Sequence, residues 1–230
     1  MRRSAIALLL SATTAMTGAG ITVGARADEV PVPRSYGDAM RWYRDASRAG
    51  DPKAMFYLGL TLEQGLQERA RPLEAIEWYR RSASAGFALA QFKLGVLYQT
   101  GSIVEHDAAK ARYWYAKAAG QGMASAQYNL AVLLETGQGG PVDTARAASL
   151  YRDAAAAGVS EAYLNLGGLY ARGDGVEADA VESLKWLILA VDAGVEPAEQ
   201  LRGSVAAVLS VEERARAAAA ADAWKVAHPR

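Results

Sequence analysis

The chain contains no cysteine and only two histidines among its 230 residues. Without cysteine it has no disulfide, no thiolate nucleophile and no lipid-bearing cysteine. His106 and His228 lie far apart in the sequence, and neither has a nucleophile at an informative spacing. A typical zinc site or a histidine-based catalytic site is therefore not expected. We predict a protein without catalytic residues, metal or cofactor.

An excess of charge of either sign is also absent, since 25 Lys and Arg residues balance 25 Asp and Glu residues. Phosphate recognition normally requires a clustered basic surface, so this balance argues against a nucleic-acid partner. Half of the residues are apolar, which is enough to bury a core and excludes compositional disorder. These features favour a soluble folded protein.

No long uninterrupted hydrophobic run occurs, although residues 1–27 have the features of a secretory signal peptide. Arg2 and Arg3 precede the apolar run 5–10, and residues 25–27 form a small-x-small cleavage site, so we predict cleavage after Ala27. A retained membrane anchor is the alternative, but serine, threonine and glycine dilute the stretch below the length needed to span a bilayer. We expect a periplasmic or secreted product without stable membrane insertion after cleavage, beginning with a short linker at residues 28–35.

The most informative pattern is an ungapped repeat of 36 residues. The aromatic pair Trp78-Tyr79 recurs as Trp42-Tyr43, Trp114-Tyr115, Leu150-Tyr151 and Trp186-Leu187. The same register aligns two glycine columns: Gly50, Gly86, Gly122, Gly158 and Gly194, and Gly65, Gly101, Gly137 and Gly173. It also aligns an alanine column and a leucine column. So many matched columns indicate a repeated structural unit whose aromatic residues pack in the core.

Each unit contains two helical patterns with helix-ending signals between them. Glycine tolerates the left-handed conformation of a helix C-cap, and aspartate caps helix N-termini. The predicted aspartate caps are Asp51, Asp107, Asp143 and Asp179, and Ser210 with Glu213 predicts a capping box. A lone helical hairpin cannot bury its apolar face, whereas stacked hairpins can. The pattern therefore predicts an all-α solenoid.

The stretches AQFKLGVLYQTG (90–101), AQYNLAVLLETG (126–137) and AYLNLGGLYARG (162–173) resemble SEL-one-like repeats, which are related to tetratricopeptide repeats. In that phase the units are 52–87, 88–123, 124–159 and 160–195, after a leading half-repeat at 36–51. The resemblance implies a right-handed superhelix of stacked antiparallel helix pairs over residues 36–209. Residues 210–230 are then a capping helix and tail. Arg202 stands where leucine is expected, so the register of the last repeat stays open.

The resemblance also implies a function and a set of contact residues. Members of the family mostly serve as non-enzymatic scaffolds that hold a protein or peptide in the concave groove. Exported bacterial members are similar to periplasmic regulators, envelope-assembly factors or host-contact proteins, and the sequence does not separate these roles. Positions that contact ligands in related tetratricopeptide grooves correspond here to Phe56, Phe92, Tyr128, Asn129, Asn165, Gln99 and Glu135. Each of these residues has an alternative role in packing between helices. The alternative function is a cell-envelope hydrolase that uses groove carboxylates, and the oligomeric state stays open.

Overall fold

The computed structural model describes residues 36–65 and 69–229. The predicted signal peptide and linker lie outside these residues. In the described part of the chain there are eleven α-helices and no strand. Their bounds are α1 Tyr36–Arg48, α2 Pro52–Gln64, α3 Pro72–Ser84, α4 Ala88–Thr100, α5 Ala108–Ala119, α6 Ala124–Thr136, α7 Thr144–Ala156, α8 Glu161–Arg172, α9 Ala180–Asp192, α10 Ala198–Ala207 and α11 Val211–Ala227. The prediction of an all-helical repeat protein is confirmed.

The described residues divide into two compact units, one ending at residue 81 and the other beginning at residue 82. In the first unit, α1 packs against α2. In the second unit, α4 packs on α5, α6 on α7, and α8 on α9, so each of these pairs forms one helical hairpin. The hairpins join because α5 packs against α6, and α7 against α8. The repeat therefore builds its core from pairs of helices that contact the next pair in the sequence.

The predicted helix signals are confirmed at both ends of the helices. Asp51, Asp107, Asp143 and Asp179 each accept hydrogen bonds from backbone N–H groups in the first turn of the following helix. Gly101 ends α4 and Gly137 ends α6 with φ angles of +67° and +70°. At these two positions any other residue would be strained, because a Cβ atom disfavours the left-handed conformation.

The aromatic pair does not lie wholly in the core, contrary to the interpretation of its sequence pattern. The second residue of the pair is fully buried, with 0% of its surface exposed in Tyr79, Tyr115 and Tyr151. By contrast, Trp78 and Trp114 are half-buried, and Trp42 is 38% exposed. Consecutive helical residues point about 100° apart, so only one member of the pair faces the neighbouring helices. The tyrosine is the core residue, and the tryptophan lies at the boundary with solvent.

The end of the second unit departs from the repeat. Helix α10 has only ten residues, and its half-buried Arg202 forms an ion pair with Glu199 at 2.6 Å. The following helix α11 starts with the predicted capping box, in which Ser210 and Glu213 cap each other. Both α10 and α11 pack against α9. The face of α9 that carries Trp186 is covered, and that side chain is 1% exposed.

Candidate functional site

The predicted contact residues lie around three fully buried tyrosines, Tyr79, Tyr115 and Tyr151. A column of small residues in the first helix of each repeat lets the tyrosine of the second helix approach its backbone. A Cβ atom on Gly59 would lie 2.8 Å from the Tyr79 ring, and one on Gly95 would lie 2.5 Å from the Tyr115 ring. These glycines therefore set the distance between the two helices of a hairpin.

The hydroxyl groups of three fully buried tyrosines, Tyr79, Tyr115 and Tyr151, each donate a hydrogen bond to a side chain sixteen residues earlier. Tyr79 donates to Glu63 at 2.6 Å in the first unit. In the second unit, Tyr115 donates to Gln99 at 2.6 Å, and Tyr151 donates to Glu135 at 2.7 Å. We call these three residues the tyrosine column. Each hydroxyl links the two helices of its own hairpin and satisfies a group that is costly to bury alone.

In the hairpin formed by α6 and α7, this contact extends into the next repeat. The Asn165 Nδ2 atom donates to the Tyr151 hydroxyl at 3.0 Å and lies 3.5 Å from Glu135 Oε2. Arg172 donates to the other Glu135 oxygen at 3.1 Å and also pairs with Asp174. Both carboxylate oxygens of Glu135 are thus engaged by side chains of this chain. Burial, with the neighbouring Glu135 carboxylate, raises the pKa of Tyr151.

The hairpin formed by α4 and α5 has the same arrangement, but the partners of its tyrosine are uncharged amide side chains. The Asn129 side chain hydrogen-bonds the Tyr115 hydroxyl, whose other partner is Gln99. Asn129 and Asn165 are 36 residues apart, and each reaches back to the tyrosine of the preceding repeat. Burial raises the pKa of Tyr115 to about 12, although the Asn129 hydrogen bond partly lowers it. The asparagines therefore join successive hairpins through the tyrosine column.

The second unit is expected to lose stability as the pH rises from about 10 to 12, in part through Tyr115. The pKa of Tyr115 is raised to about 12 in the folded chain, whereas a tyrosine in the unfolded chain has a pKa of about 10. The neutral phenol therefore stabilises the fold fully below pH ~10, and this contribution is lost as pH rises through the folded value. Urea unfolding at a series of pH values measures the decline. Tyr115→Phe should show a shallower decline, and an identical pH profile for both proteins would contradict the assignment.

The predicted aromatic row packs on the same tyrosines. The ring centroid of Phe92 lies 5.7 Å from that of Tyr115, and Tyr128 lies 5.7 Å from Tyr151. In the first unit, Phe56 lies 5.6 Å from Tyr79. All three rings are half-buried, so one part of each ring packs inside the hairpin and the rest faces outward. The sequence prediction places them correctly on first helices but does not reveal this double role.

All seven predicted contact residues are half-buried, and six of them lie in the second unit. The tyrosine column connects four of those six through hydrogen bonds: Gln99, Asn129, Glu135 and Asn165. The tyrosine hydroxyls that organise these residues are not evident from the repeat columns, which show only aromatic residues. The constant sixteen-residue spacing from an acid or amide to a tyrosine is a signal that identifies them.

A separate cavity lies at the C-terminal end of the second unit. A cavity of about 290 Å³ is lined by Tyr163, Leu189, Asp192, Ala193, Trp224, Lys225 and His228. The His228 ring stacks on Trp224 with 3.8 Å between ring centroids. Among the residues that the structure describes, no group of three or more potential metal ligands comes together. The sequence analysis did not anticipate this cavity, because it depends on how α11 folds back on α9.

Comparison with known proteins agrees with the repeat. A family model described as Sel1 repeat matches residues 26–51, 52–87, 88–123, 124–159 and 160–195. The last four ranges coincide with the units expected from the 36-residue spacing. No curated protein matches the chain.

Two solved structures are similar over most of the chain. A Sel1 repeat protein from Oxalobacter formigenes shares 29% sequence identity with a TM-score of 0.62, and the match covers 82% of this chain and 78% of that protein. A protective antigen of uropathogenic Escherichia coli that displays an SLR fold shares 29% identity with a TM-score of 0.55. That match covers 86% of this chain but 50% of the antigen, so this chain spans half of its length.

Proposed function

The chain belongs to the Sel1 repeat family, and we propose that it is an exported scaffold that holds an extended segment of a partner protein against its first helices. Proteins of this family generally act as scaffolds for protein interactions. The export part of the proposal depends on residues 1–27, whose basic start, apolar run and small-x-small site are typical of a signal peptide. The periplasm is then the compartment in which the partner is met.

The observation that supports this proposal is the row of half-buried rings and amides on α4, α6 and α8. Phe92 and Tyr128 occupy the same repeat position on successive first helices, and each ring is held by a buried tyrosine. Rings that keep one part exposed can bury apolar side chains of a peptide at low conformational cost. A row of such positions at a constant spacing suits an extended segment better than a small molecule.

The asparagines supply the polar part of this surface. Asn165 uses its amide nitrogen for Tyr151 and Glu135, and its carbonyl oxygen is the atom suited to accept a hydrogen bond from a peptide N–H group. Because the tyrosine column fixes the amide, that acceptor is ordered before a partner arrives. Ordering a group in advance reduces the entropy lost on binding.

The alternative of a cell-envelope hydrolase has no support in the family match or in the two solved relatives. Glu135 is the acidic residue of the predicted set, and both of its oxygens already accept hydrogen bonds from neighbouring side chains. A carboxylate held in this way is suited to positioning Tyr151 and Asn165. We therefore propose a structural role for Glu135 within a binding surface.

Replacing both Phe92 and Tyr128 with leucine is expected to weaken partner binding without unfolding the chain. Leu164 occupies the same repeat position on α8, so leucine is compatible with packing there, while the exposed ring surface is lost. Loss of two aromatic anchors should reduce capture of the partner by at least about tenfold. The measurement is cross-linked capture from periplasmic extract of the native host with the mature chain, read by quantitative mass spectrometry.

The matched control is Trp42→Leu, which removes a 38% exposed aromatic ring from α1, a helix that carries none of the predicted contact residues. Capture by this control should equal that of the unchanged protein for any partner held on the first helices. Equal capture by the double variant and the control would reject the proposed surface. Enrichment of cytoplasmic proteins alone, from a whole-cell extract, would reject the periplasmic role.

A further inference from the structure

The chain contains an example of a helix docked on the tryptophan position of its own repeat. On α9, Trp186 is covered by Trp224 of α11, with 4.7 Å between ring centroids and an interplanar angle of 69°. The Lys185 ammonium lies 4.4 Å from the Trp186 ring and 5.6 Å from the Trp224 ring. An ion pair of 3.0 Å between Lys225 and Asp192 also joins the two helices. This contact explains why Trp186 is buried.

Helix α11 contacts α9 through two alanines and one tryptophan. Ala217 and Ala221 are its two fully buried residues, and Trp224 follows three positions later. These three positions lie on one face of a helix, because residues three and four apart are neighbours. The alanines let the helix axes approach closely, and the tryptophan reaches the ring on α9. The motif is therefore two small residues four apart, followed by an aromatic residue three positions later.

The equivalent positions on the two preceding second helices are not fully buried. Trp114 on α5 and Leu150 on α7 occupy the repeat position of Trp186, and both are half-buried. Beside Trp114, the Tyr113 side chain is 53% exposed, and the two rings meet edge to face with 5.0 Å between centroids. Tyr113 and Trp114 therefore present an apolar surface on α5 at the repeat positions that Lys185 and Trp186 occupy on α9. It lies on a second helix, whereas the proposed peptide surface lies on first helices.

The charge beside the open rings differs from that on α9. Helix α5 contains three basic residues and no acidic residue. One of them, Lys110, pairs with Asp107 at 2.8 Å. Lys117 instead places its ammonium 5.5 Å from the centre of the exposed Tyr113 ring. An incoming helix that carries a carboxylate at this point would gain an ion pair of the kind that Lys225 makes with Asp192, with the signs exchanged.

We infer that Tyr113, Trp114 and Lys117 form a second docking surface, which binds an acidic amphipathic helix of a partner protein in the manner of α11 on α9. The partner helix presents two small residues four apart and then an aromatic ring, with a carboxylate next to that ring. The small residues pack along α5, the ring covers Trp114, and the carboxylate pairs with Lys117. The chain would then have two separate binding surfaces, one on its first helices and one on its second helices.

The test uses a synthetic peptide with the 17-residue sequence of α11, in which Arg216 and Lys225 are replaced by glutamate. We expect saturable binding to the mature full-length chain with a Kd of about 10–100 μM, which corresponds to a binding free energy of about −5 to −7 kcal/mol. The double variant Tyr113→Ala, Lys117→Ala should weaken this binding by about tenfold, because it removes one exposed ring and the cation that lies over it. Isothermal titration calorimetry measures both affinities.

Two controls separate the proposed contact from nonspecific association. Leu73→Ala removes another exposed apolar side chain, 74% exposed on α3, and should leave the affinity unchanged. The acidic peptide with Trp224→Ala should bind at least about tenfold more weakly than the peptide with the ring. Circular dichroism of the Tyr113, Lys117 variant should match that of the unchanged protein, because both side chains are exposed.

Three results would overturn the inference. The first is the absence of saturable binding at peptide concentrations up to about 1 mM. The second is equal affinity for the acidic peptide and for the unmodified α11 sequence, which would indicate a second copy of this chain as the occupant. The third is equal affinity of the peptide for the unchanged protein and for the Tyr113, Lys117 variant. That result would place the peptide elsewhere, for example on Trp186 after displacement of α11.

Discussion

Replacing Gly175 with alanine is expected to lower the free energy of unfolding by about 3 kcal/mol, as the sum of backbone strain and a steric conflict. Gly175 has a φ angle of +71°, and an added Cβ atom would lie 2.2 Å from the carbonyl carbon of Thr144. Thr144 is the first residue of α7, whose backbone is fixed by the Asp143 cap. The loop must therefore move away from the preceding repeat. Urea denaturation followed by circular dichroism measures the loss.

Gly158→Ala is the matched control for this substitution. Gly158 has a φ angle of +91°, but an added Cβ atom would meet no atom within 4 Å. Its replacement should cost only the strain of the left-handed conformation, about 1 kcal/mol. Gly139→Ala should behave like Gly175→Ala, since its Cβ would lie 2.2 Å from the Ala108 carbonyl oxygen. If Gly175→Ala costs no more than Gly158→Ala, the contact between loop and helix does not stabilise the stack.

The repeat could be predicted from the sequence because its signals are local. An aspartate ahead of a helix needs only the next few backbone N–H groups, and Asp143 and Asp179 cap as expected. A glycine at a helix end needs only its own φ angle, which is positive at Gly101 and Gly137. Repetition at a fixed spacing adds weight to each such signal, since every hairpin repeats the same structural problem.

Contacts between hairpins were harder to predict because they depend on side-chain direction and on non-repeated elements. The pair Trp114-Tyr115 does not show which ring enters the core, since both residues are aromatic. The burial of Trp186 depends on α11, which has no counterpart in the other repeats. The close approach of Gly175 to Thr144 joins two repeats through backbone atoms. None of these contacts follows from a column of the repeat alone.

The candidate site shows the same division. Its residues could be selected by their repeat positions, as for Phe92 and Tyr128 on successive first helices. Their chemistry could not, because it depends on which group each one meets. Gln99 and Glu135 occupy one column of the repeat. Gln99 accepts a hydrogen bond from the Tyr115 hydroxyl, which also contacts the Asn129 side chain. Glu135 instead accepts hydrogen bonds from both the Tyr151 hydroxyl and the Arg172 guanidinium. The fourth repeat has Ala171 and Leu187 at the two positions, so the polar contact is lost there.

Replacing Tyr151 with alanine is expected to lower the free energy of unfolding by about 4 kcal/mol, because a fully buried ring is removed from between two hairpins. Tyr151 is 0% exposed, and its ring packs against Tyr128. Its hydroxyl also holds Glu135 and Asn165, so the truncation loosens both the hairpin and its junction with the next repeat. Thermal and urea unfolding should both show the loss.

Tyr151→Phe separates the ring from the hydroxyl and is expected to cost about 1.5 kcal/mol, the effect of one hydrogen bond to a charged group. Glu135 then keeps Arg172 at one oxygen, and at its other oxygen it loses the tyrosine donor and keeps only the longer contact of 3.5 Å to Asn165. Glu135→Gln should cost less, because Gln99 shows that an amide oxygen accepts the tyrosine hydroxyl in the preceding repeat. In a double-mutant cycle the two substitutions should be non-additive, since both act on the contact between Tyr151 and Glu135, one by removing the donor and the other by removing the charge of the acceptor. Additive losses, or a Tyr151→Phe variant as unstable as Tyr151→Ala, would show that the hydroxyl does not couple the two hairpins in this way.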